Sequence, residues 1–378
     1  MRCIDELSAA DLKGKRVLLR SDFNVPLSAS GEVGDIFRLT QGWQSVKYLS
    51  ERGAKVIIIS HIGRDPAESL KPVAEALKKF GSVSFVADIF GDAAEGARAS
   101  MRDGEILLLE NLRSDSRETE NDAGMGRELA AFADMYVDDA FAAAHRAHAS
   151  IVSVAGFLPH YAGLLMRDEI TQLDKARAPE HPSFAILGGA KFETKAPLIQ
   201  ALLSTYDNVF ITGALANDVF KAKGYPVGRS LISKELPSKE ILENPRFLAP
   251  IDATVENSGK EVKVKKPDTV EDDDKIVDIG PDSVQEIAPA LSQAKFILWN
   301  GPTGLYEAGY VSYTHAIAAL IAHAVEDGAQ AVIGGGDTIA AILESDIPPE
   351  KLGFLSTGGG AMLEYLLKGT LPGIDALK

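Results

Sequence analysis

The stretch Ala331-Val332-Ile333-Gly334-Gly335-Gly336-Asp337-Thr338-Ile339-Ala340-Ala341-Ile342-Leu343 decides the fold. An apolar run leads into three glycines, and a helical pattern follows them. The short run reads as a buried parallel strand, and the unit as strand, tight loop, helix. Glycines let backbone N–H groups come close to an anion, and the helix N-terminus adds partial positive charge. Thr338 is placed to cap that helix. Asp337 is acidic where the helix dipole already favours a negative ligand. Its chemical use is to hold a Mg²⁺ that rides on phosphate oxygens. Residues 354–367 repeat the arrangement, with Gly358-Gly359-Gly360 opening a second helix. One glycine triplet marks a tight turn as readily as a site, but two between strand and helix point to phosphate.

Working outward, seven more apolar runs end in glycine, charge or amide. In the second half, FAIL, VFI and FILW lead into Gly188-Gly189-Ala190-Lys191, Thr212-Gly213 and Asn300-Gly301-Pro302. In the first half, RVLLR, VIIIS, ILLLE and MYV lead into Ser21-Asp22-Phe23-Asn24, His61-Ile62-Gly63-Arg64, Asn111-Leu112-Arg113 and Asp138-Asp139, with His145-Arg146 beyond. Open α/β sheets bind ligands at the carboxyl ends of their strands. One half therefore offers arginine and histidine, the other bare amides and glycine. Arg38, Arg64, Arg113 and Arg146 come from separate loops, and arginine forks grip carboxylate and phosphate. A small ligand carrying both groups suits them, with Asp22 and Asn24 serving its hydroxyls. His145 and His148 read equally well as ligand contacts or as packing at the sheet end. Lys191 and Lys195, four apart on one helix face, suit nucleotide phosphates.

The pattern excludes other classes. There is no G-x-x-x-x-G-K-[ST], no G-x-G-x-x-G and no protein-kinase signature. The formal charge is 39 − 54 = −15, which argues against a nucleic-acid partner. No apolar stretch reaches the ~18 residues a membrane helix needs, and the N-terminus lacks the apolar core of a signal peptide. Cys3 is the only cysteine, so no intrachain disulfide forms, and a reducing, cytoplasmic setting is expected.

The length predicts two domains. Strand and helix alternate in both halves. The composition changes near residue 158. A long amphipathic helix is expected over residues 160–177, and Ala178-Pro179-Glu180-His181-Pro182 breaks the chain after it. That helix reads as the connector. The expected division is residues 1–158, a connector 159–178, and residues 179–366. The polar segment 256–275 reads as a solvated hairpin and loop.

Taken jointly, the motifs Arg20-Ser21-Asp22-Phe23-Asn24-Val25-Pro26-Leu27, Ser60-His61-Ile62-Gly63-Arg64, Leu109-Glu110-Asn111-Leu112-Arg113, Ala144-His145-Arg146-Ala147-His148, Gly188-Gly189-Ala190-Lys191, Trp299-Asn300-Gly301-Pro302 and Gly334-Gly335-Gly336-Asp337-Thr338 resemble the phosphoglycerate kinase family. The resemblance runs from Val17 to the C-terminus. It implies an α/β chain of two Rossmann-like, three-layer domains whose parallel sheets face each other across a cleft. It implies a monomer that moves a phosphoryl group between 1,3-bisphosphoglycerate and MgADP, in line and with domain closure. The first domain is expected to bind 3-phosphoglycerate or 1,3-bisphosphoglycerate through Asp22, Asn24, Arg38, His61, Arg64, Arg113 and Arg146. The second is expected to bind ATP or ADP through Lys191, Lys195, Thr212, Gly213, Asn300, Glu307, Gly335, Gly336, Asp337 and Thr338, with Glu307 on the ribose. Asp337 is the metal residue, and Arg38, Lys191, Gly336 and Gly359 serve the transfer itself. The family's last residues return to the first domain, so residues 367–378 are expected there.

Departures gather in the nucleotide half. Phe192-Glu193-Thr194 lies between the lysines, and Ile276 stands where the family has a small residue.

Overall fold

The computed structural model describes residues 1–28, 30–34 and 36–378. Two compact units emerge: residues 1–171 with 370–378, and residues 172–369.

In the first unit, β1 (Arg16–Arg20), β2 (Lys55–Ile59), β3 (Ser84–Phe85), β4 (Ile106–Leu108), β5 (Met135–Asp138) and β6 (His160–Ala162) form a parallel sheet. Its order is β3-β4-β2-β1-β5-β6. The central strands are buried nearly end to end, which is why their sequence is continuously apolar rather than alternating. Helices Phe37–Glu51, Lys71–Leu77, Asp92–Ser100 and Ala123–Ala130 alternate with these strands. One hydrophobic core joins Leu39, Val46 and Leu49 of the first helix to Val17, Leu19, Val56 and Ile58 of the sheet.

In the second unit come β7 (Ser183–Leu187), β8 (Asn208–Ile211), β9 (Phe247–Leu248), β10 (Ala253–Glu256), β11 (Val262–Lys265), β12 (Lys275–Ile279), β13 (Phe296–Asn300), β14 (Gln330–Gly334) and β15 (Phe354–Leu355). Six of them make a parallel sheet ordered β15-β14-β13-β7-β8-β9. The polar segment expected to be a hairpin and loop supplies the β10–β11 hairpin, and β12 completes an antiparallel sheet of three strands.

The connector departs from its reading. Residues 160–162 are strand β6, paired to β5, and the helix runs only Leu164–Arg177. Ala162 N–H donates to the Arg2 carbonyl at 2.8 Å, so its backbone is committed to a ladder. Asp139 then accepts from Met166 N at 3.1 Å, starting the helix after Gly163. Nor is that helix a free linker. Its first turn belongs to the first unit, where Leu164 N–H donates to Ser45 Oγ at 2.8 Å. Its last turns belong to the second, where Ala176 O accepts from Tyr206 Oη at 2.6 Å and Asp174 from Tyr365 Oη at 2.8 Å. The compact units accordingly divide at 171/172, inside the helix, and not at its ends.

Residues 370–378 pack in the first unit. Leu371, Ile374 and Leu377 are buried, and Gly373 N–H donates to Ala144 O at 2.9 Å. A β-carbon on Gly373 would lie 2.9 Å from Ile151 Cγ2 and 3.1 Å from the Ala144 backbone. Gly373→Val should therefore destabilise the first unit by ~1–3 kcal/mol. Urea unfolding followed by far-UV circular dichroism checks this, and a midpoint equal to wild type would contradict the close approach.

Candidate active site

In each sheet the chain winds outward one way, returns, and winds outward the other way. The first unit reverses between β1 and β5, the second between β7 and β13. The loops leaving such neighbours diverge and open a crevice at the sheet end.

At the first reversal the buried guanidinium of Arg20 sets the geometry. Its Nε donates to Ser150 Oγ at 2.9 Å, one Nη to Ser21 O at 2.6 Å and the other to His61 Nδ1 at 2.9 Å. Ser150 in turn donates from Oγ and N to the two oxygens of buried Glu118, at 2.6 and 2.9 Å. An arginine can only donate, so His61 Nδ1 accepts and the ring proton sits on Nε2. Burial and the charge of Arg20 hold the imidazole well below its usual pKa, so His61 is a neutral donor.

Asp22 is buried and ion-paired to Arg38. Burial raises its pKa, but the charges of Arg38 and Arg20 and the Asn24 amide outweigh that and leave the carboxylate below its usual range. Asn24 Oδ1 accepts from Gly63 N at 2.9 Å, and Arg113 donates to Gly63 O. Arg146 Nε donates to His145 Nε2 at 3.2 Å. The charges of Arg113 and Arg146 add to the lowering of the His61 pKa. Arg64 is exposed and has no hydrogen bond to this set among the described residues. His148 lies 3.7 Å from Glu118, and burial with Arg20, Arg146 and Arg113 pushes it down to about 4. Arg20, Ser150 and Glu118 were not among the expected site residues. The one signal for them was an arginine ending an apolar strand.

At the second reversal, backbone packs on backbone. A β-carbon on Gly301, at φ +99°, would lie 2.4 Å from the Gly188 carbonyl carbon, and one on Gly213, at φ +63°, would lie 2.8 Å from Gly189 N. Only glycine satisfies both the torsion and the space. Beside this contact lies a cavity of about 720 Å³. Of the expected nucleotide residues, Gly213, Glu307 and Asp337 line it.

Thr212, Asn300 and Thr338 are buried beneath. Thr338 does not cap its helix, which starts at Gly336 after Gly335. Its Oγ1 accepts from Gly301 N at 2.8 Å and so ties the β13 and β14 loops together. Gly359 is the residue before helix Gly360–Lys368. Lys191 precedes helix Phe192–Thr205, and Lys195 sits one turn in, where burial lowers its pKa. The cavity also exposes residues the sequence reading left out of the site, among them Asn217, Phe220 and Asp278. Burial pushes Asp278 up to about 7.

The family model for phosphoglycerate kinase matches residues 7–369. The phosphoglycerate kinase of Moorella thermoacetica is 41% identical, over 98% of each chain. That of Synechococcus elongatus is 40% identical, over 100% of this chain and 98% of its own. Among solved structures, phosphoglycerate kinase from Pyrococcus horikoshii OT3 superposes with a TM-score of 0.85 at 29% identity, over 100% of this chain and 98% of that one. The Coxiella burnetii structure gives 0.79 at 32%, over 97% and 96%.

Asp138 and Asp139, at the end of β5, supply a pH test. Both are buried, and burial pushes each up to about 7. Asp138 Oδ1 accepts from Ala140 N at 3.0 Å, while its Oδ2 has no partner among the described residues. The folded state thus keeps protons that the unfolded chain releases, so stability present at low pH is lost as pH rises through roughly 4 to 7. Asp138→Asn should flatten that loss, gaining on wild type at about pH 8 relative to about pH 5. Denaturant midpoints across this range test it, and parallel curves for the two proteins would reject it.

Proposed function

The chain belongs to the phosphoglycerate kinase family, and from that premise we propose how its two strand-end sites divide the work. The enzyme is a kinase that moves a phosphoryl group reversibly between 1,3-bisphosphoglycerate and ADP, giving 3-phosphoglycerate and ATP. The unit holding residues 1–171 takes the phosphoglycerate. The unit holding residues 172–369 takes the nucleotide.

The observation that carries this division is the charged strand-end set of the first unit, with Arg38 paired to Asp22 and Arg113 bonded to the Gly63 carbonyl beside Asn24, against a glycine-walled cavity with Glu307 and Asp337 in the second. A ligand with carboxylate and phosphate fits the arginines, with Arg64 free to join them. Asp22 accepts from its hydroxyl, Asn24 donates to it from Nδ2, and His61 donates from Nε2. The nucleoside enters the cavity with Glu307 at its ribose, and Lys191 and Lys195 take the phosphates.

The backbone N–H groups at Gly336 and Gly359, at the starts of their helices, would serve the developing charge. No cluster of three metal-ligating side chains exists among the described residues. A lone exposed carboxylate, Asp337, fits a Mg²⁺ carried mainly by phosphate oxygens, which would neutralise charge on the nucleotide.

The acceptor is a carboxylate with a pKa of about 4, already ionised at neutral pH, so no general base is needed. Catalysis is positioning plus charge neutralisation by Arg38 and Lys191, which requires the two ligands to be brought together and water excluded. On this reading each ligand needs residues of one unit alone, which suits a monomer, and the single cysteine suits a cytoplasmic setting. No helix is long and apolar enough to cross a membrane among the described residues. A coupled assay with 3-phosphoglycerate and MgATP tests the reading directly, and lack of turnover would defeat it.

Arg38→Ala should cut turnover at least ~100-fold while leaving ADP binding near wild type, since a preorganised charge on the moving group is worth several kcal/mol. Unchanged turnover would remove Arg38 from the mechanism. Asp337→Asn should raise the Mg²⁺ concentration needed for half-maximal rate, because a hard cation prefers carboxylate oxygen. A titration superimposable on wild type would contradict the metal assignment.

A further inference from the structure

The helix Phe192–Thr205 begins on a residue poorly suited to begin it. Lys191 is the N-cap, at φ 66° and ψ 75°, a left-handed conformation that non-glycine residues rarely adopt. Lysine has no side-chain oxygen to accept from the first-turn amides, so the acceptor must come from elsewhere. It comes from a loop 41 positions away: Phe192 N–H donates to Ser233 Oγ at 2.8 Å.

Ser233 is itself fixed. Its Oγ donates to Asp218 Oδ2 at 2.7 Å and its N–H to Asp218 Oδ1 at 2.7 Å. Asp218 lies on helix Ala214–Ala222 and is 1% exposed. On the other side of the same peptide unit, the Lys191 carbonyl accepts from Thr194 N at 3.0 Å and Thr194 Oγ1 at 2.8 Å. The Phe192 ring is 2% exposed and anchors the turn. Both polar atoms of the Lys191–Phe192 peptide are therefore pinned. What stays free is the side chain of Lys191, which is exposed and has no hydrogen bond or ion pair among the described residues.

Strained backbone of this kind persists where surroundings over-determine it, and it gathers at functional residues. A flexible lysine arm gains little from being long unless its root is fixed. We propose that Asp218 and Ser233 are positioning residues for Lys191. They form a carboxylate–hydroxyl–amide relay that holds the lysine in its left-handed conformation and so aims its arm at the transferring phosphoryl group. Neither residue touches substrate; both act through the Phe192 amide. The inference rests on the assignment of Lys191 to that phosphoryl group.

A plain helix cap would use the same bonds, so the test separates the two roles. Steady-state kinetics are measured well below the unfolding temperature for Ser233→Ala, Asp218→Asn, Ser233→Thr and Lys191→Met. Ser233→Ala and Asp218→Asn should each lower kcat about tenfold, as expected for a reacting group displaced by a fraction of an ångström. KM for 3-phosphoglycerate should stay within about twofold, because that ligand's contacts are untouched. The double variant should be no slower than either single one, because the two groups act in series. Ser233→Thr keeps the hydroxyl and should restore most of the rate.

A Ser233→Ala protein with wild-type kcat and a lowered Tm overturns the proposal and leaves a structural cap, provided Lys191→Met is inactive. A rate loss in Ser233→Thr equal to that in Ser233→Ala overturns it too. If Lys191→Met turns over normally, the assignment of Lys191 itself has failed, and the relay with it. Should Ser233→Ala not fold, Asp218→Asn decides: a fallen kcat with KM for 3-phosphoglycerate held supports the relay, and a wild-type kcat overturns it.

Discussion

Every functional group described above depends on one constraint: two adjacent parallel strands whose chains leave the sheet in opposite directions. Helices cover the faces of such a sheet, but nothing in the winding covers the end of the strands at the point of reversal. At β1 and β5 the opening is kept by charge, since buried Arg20 and the Asp22–Arg38 pair hold polar groups at the strand ends. At β7 and β13 it is kept by the absence of side chains, since Gly188 and Gly301 pack backbone to backbone. The same topology thus yields a site made of guanidinium groups in one unit and a site made of amides in the other.

The cost of the first solution is visible in what surrounds it. A buried guanidinium is tolerable only with its donors engaged and its charge compensated. Ser150 and Glu118 do this for Arg20, and the consequence reaches His61, whose tautomer and neutrality follow from the donor against its Nδ1. The second solution needs no such compensation, because backbone amides carry no net charge. Its difficulty is conformational, and it is met by positive-φ glycines and, beside Lys191, by the hydrogen bond that the Phe192 amide donates to a distant loop.

This difference explains how much could be read from the chain alone. The apolar runs are legible as strands because both faces of each sheet are covered, and the residues just past them announce their chemistry by type. The loop arginines and the glycine loops are therefore legible in the sequence itself. Strand β6 was not, because three residues are too few to show a period of two and their apolar content suits a helix start equally well. Thr338 was misread for a related reason: its position relative to the glycines suggests a cap, while its actual donor, the Gly301 amide, lies 37 positions away. Arg20 meets Ser150 from 130 positions away, and Phe192, next to Lys191, meets Ser233 from 41 positions away. A single sequence carries no information about which distant hydroxyl will meet which amide. The positions of such support residues are set by tertiary packing, and only the residues they support are marked locally.

The return of residues 370–378 to the first unit has a consequence for biosynthesis. Leu371, Ile374 and Leu377 fill part of the first unit's interior, yet the ribosome makes them only after the whole of the second unit. Domains emerging in order ordinarily fold in order. Here the unit that emerges first stays unsealed near Ala144 and Ile151 until residues 370–378 have been made. The surface awaiting it is apolar and lies close to the arginine-bearing loop at Arg146. The first unit is therefore completed only after the second has been made, and a chain cut short anywhere in the second unit leaves the first one incomplete as well.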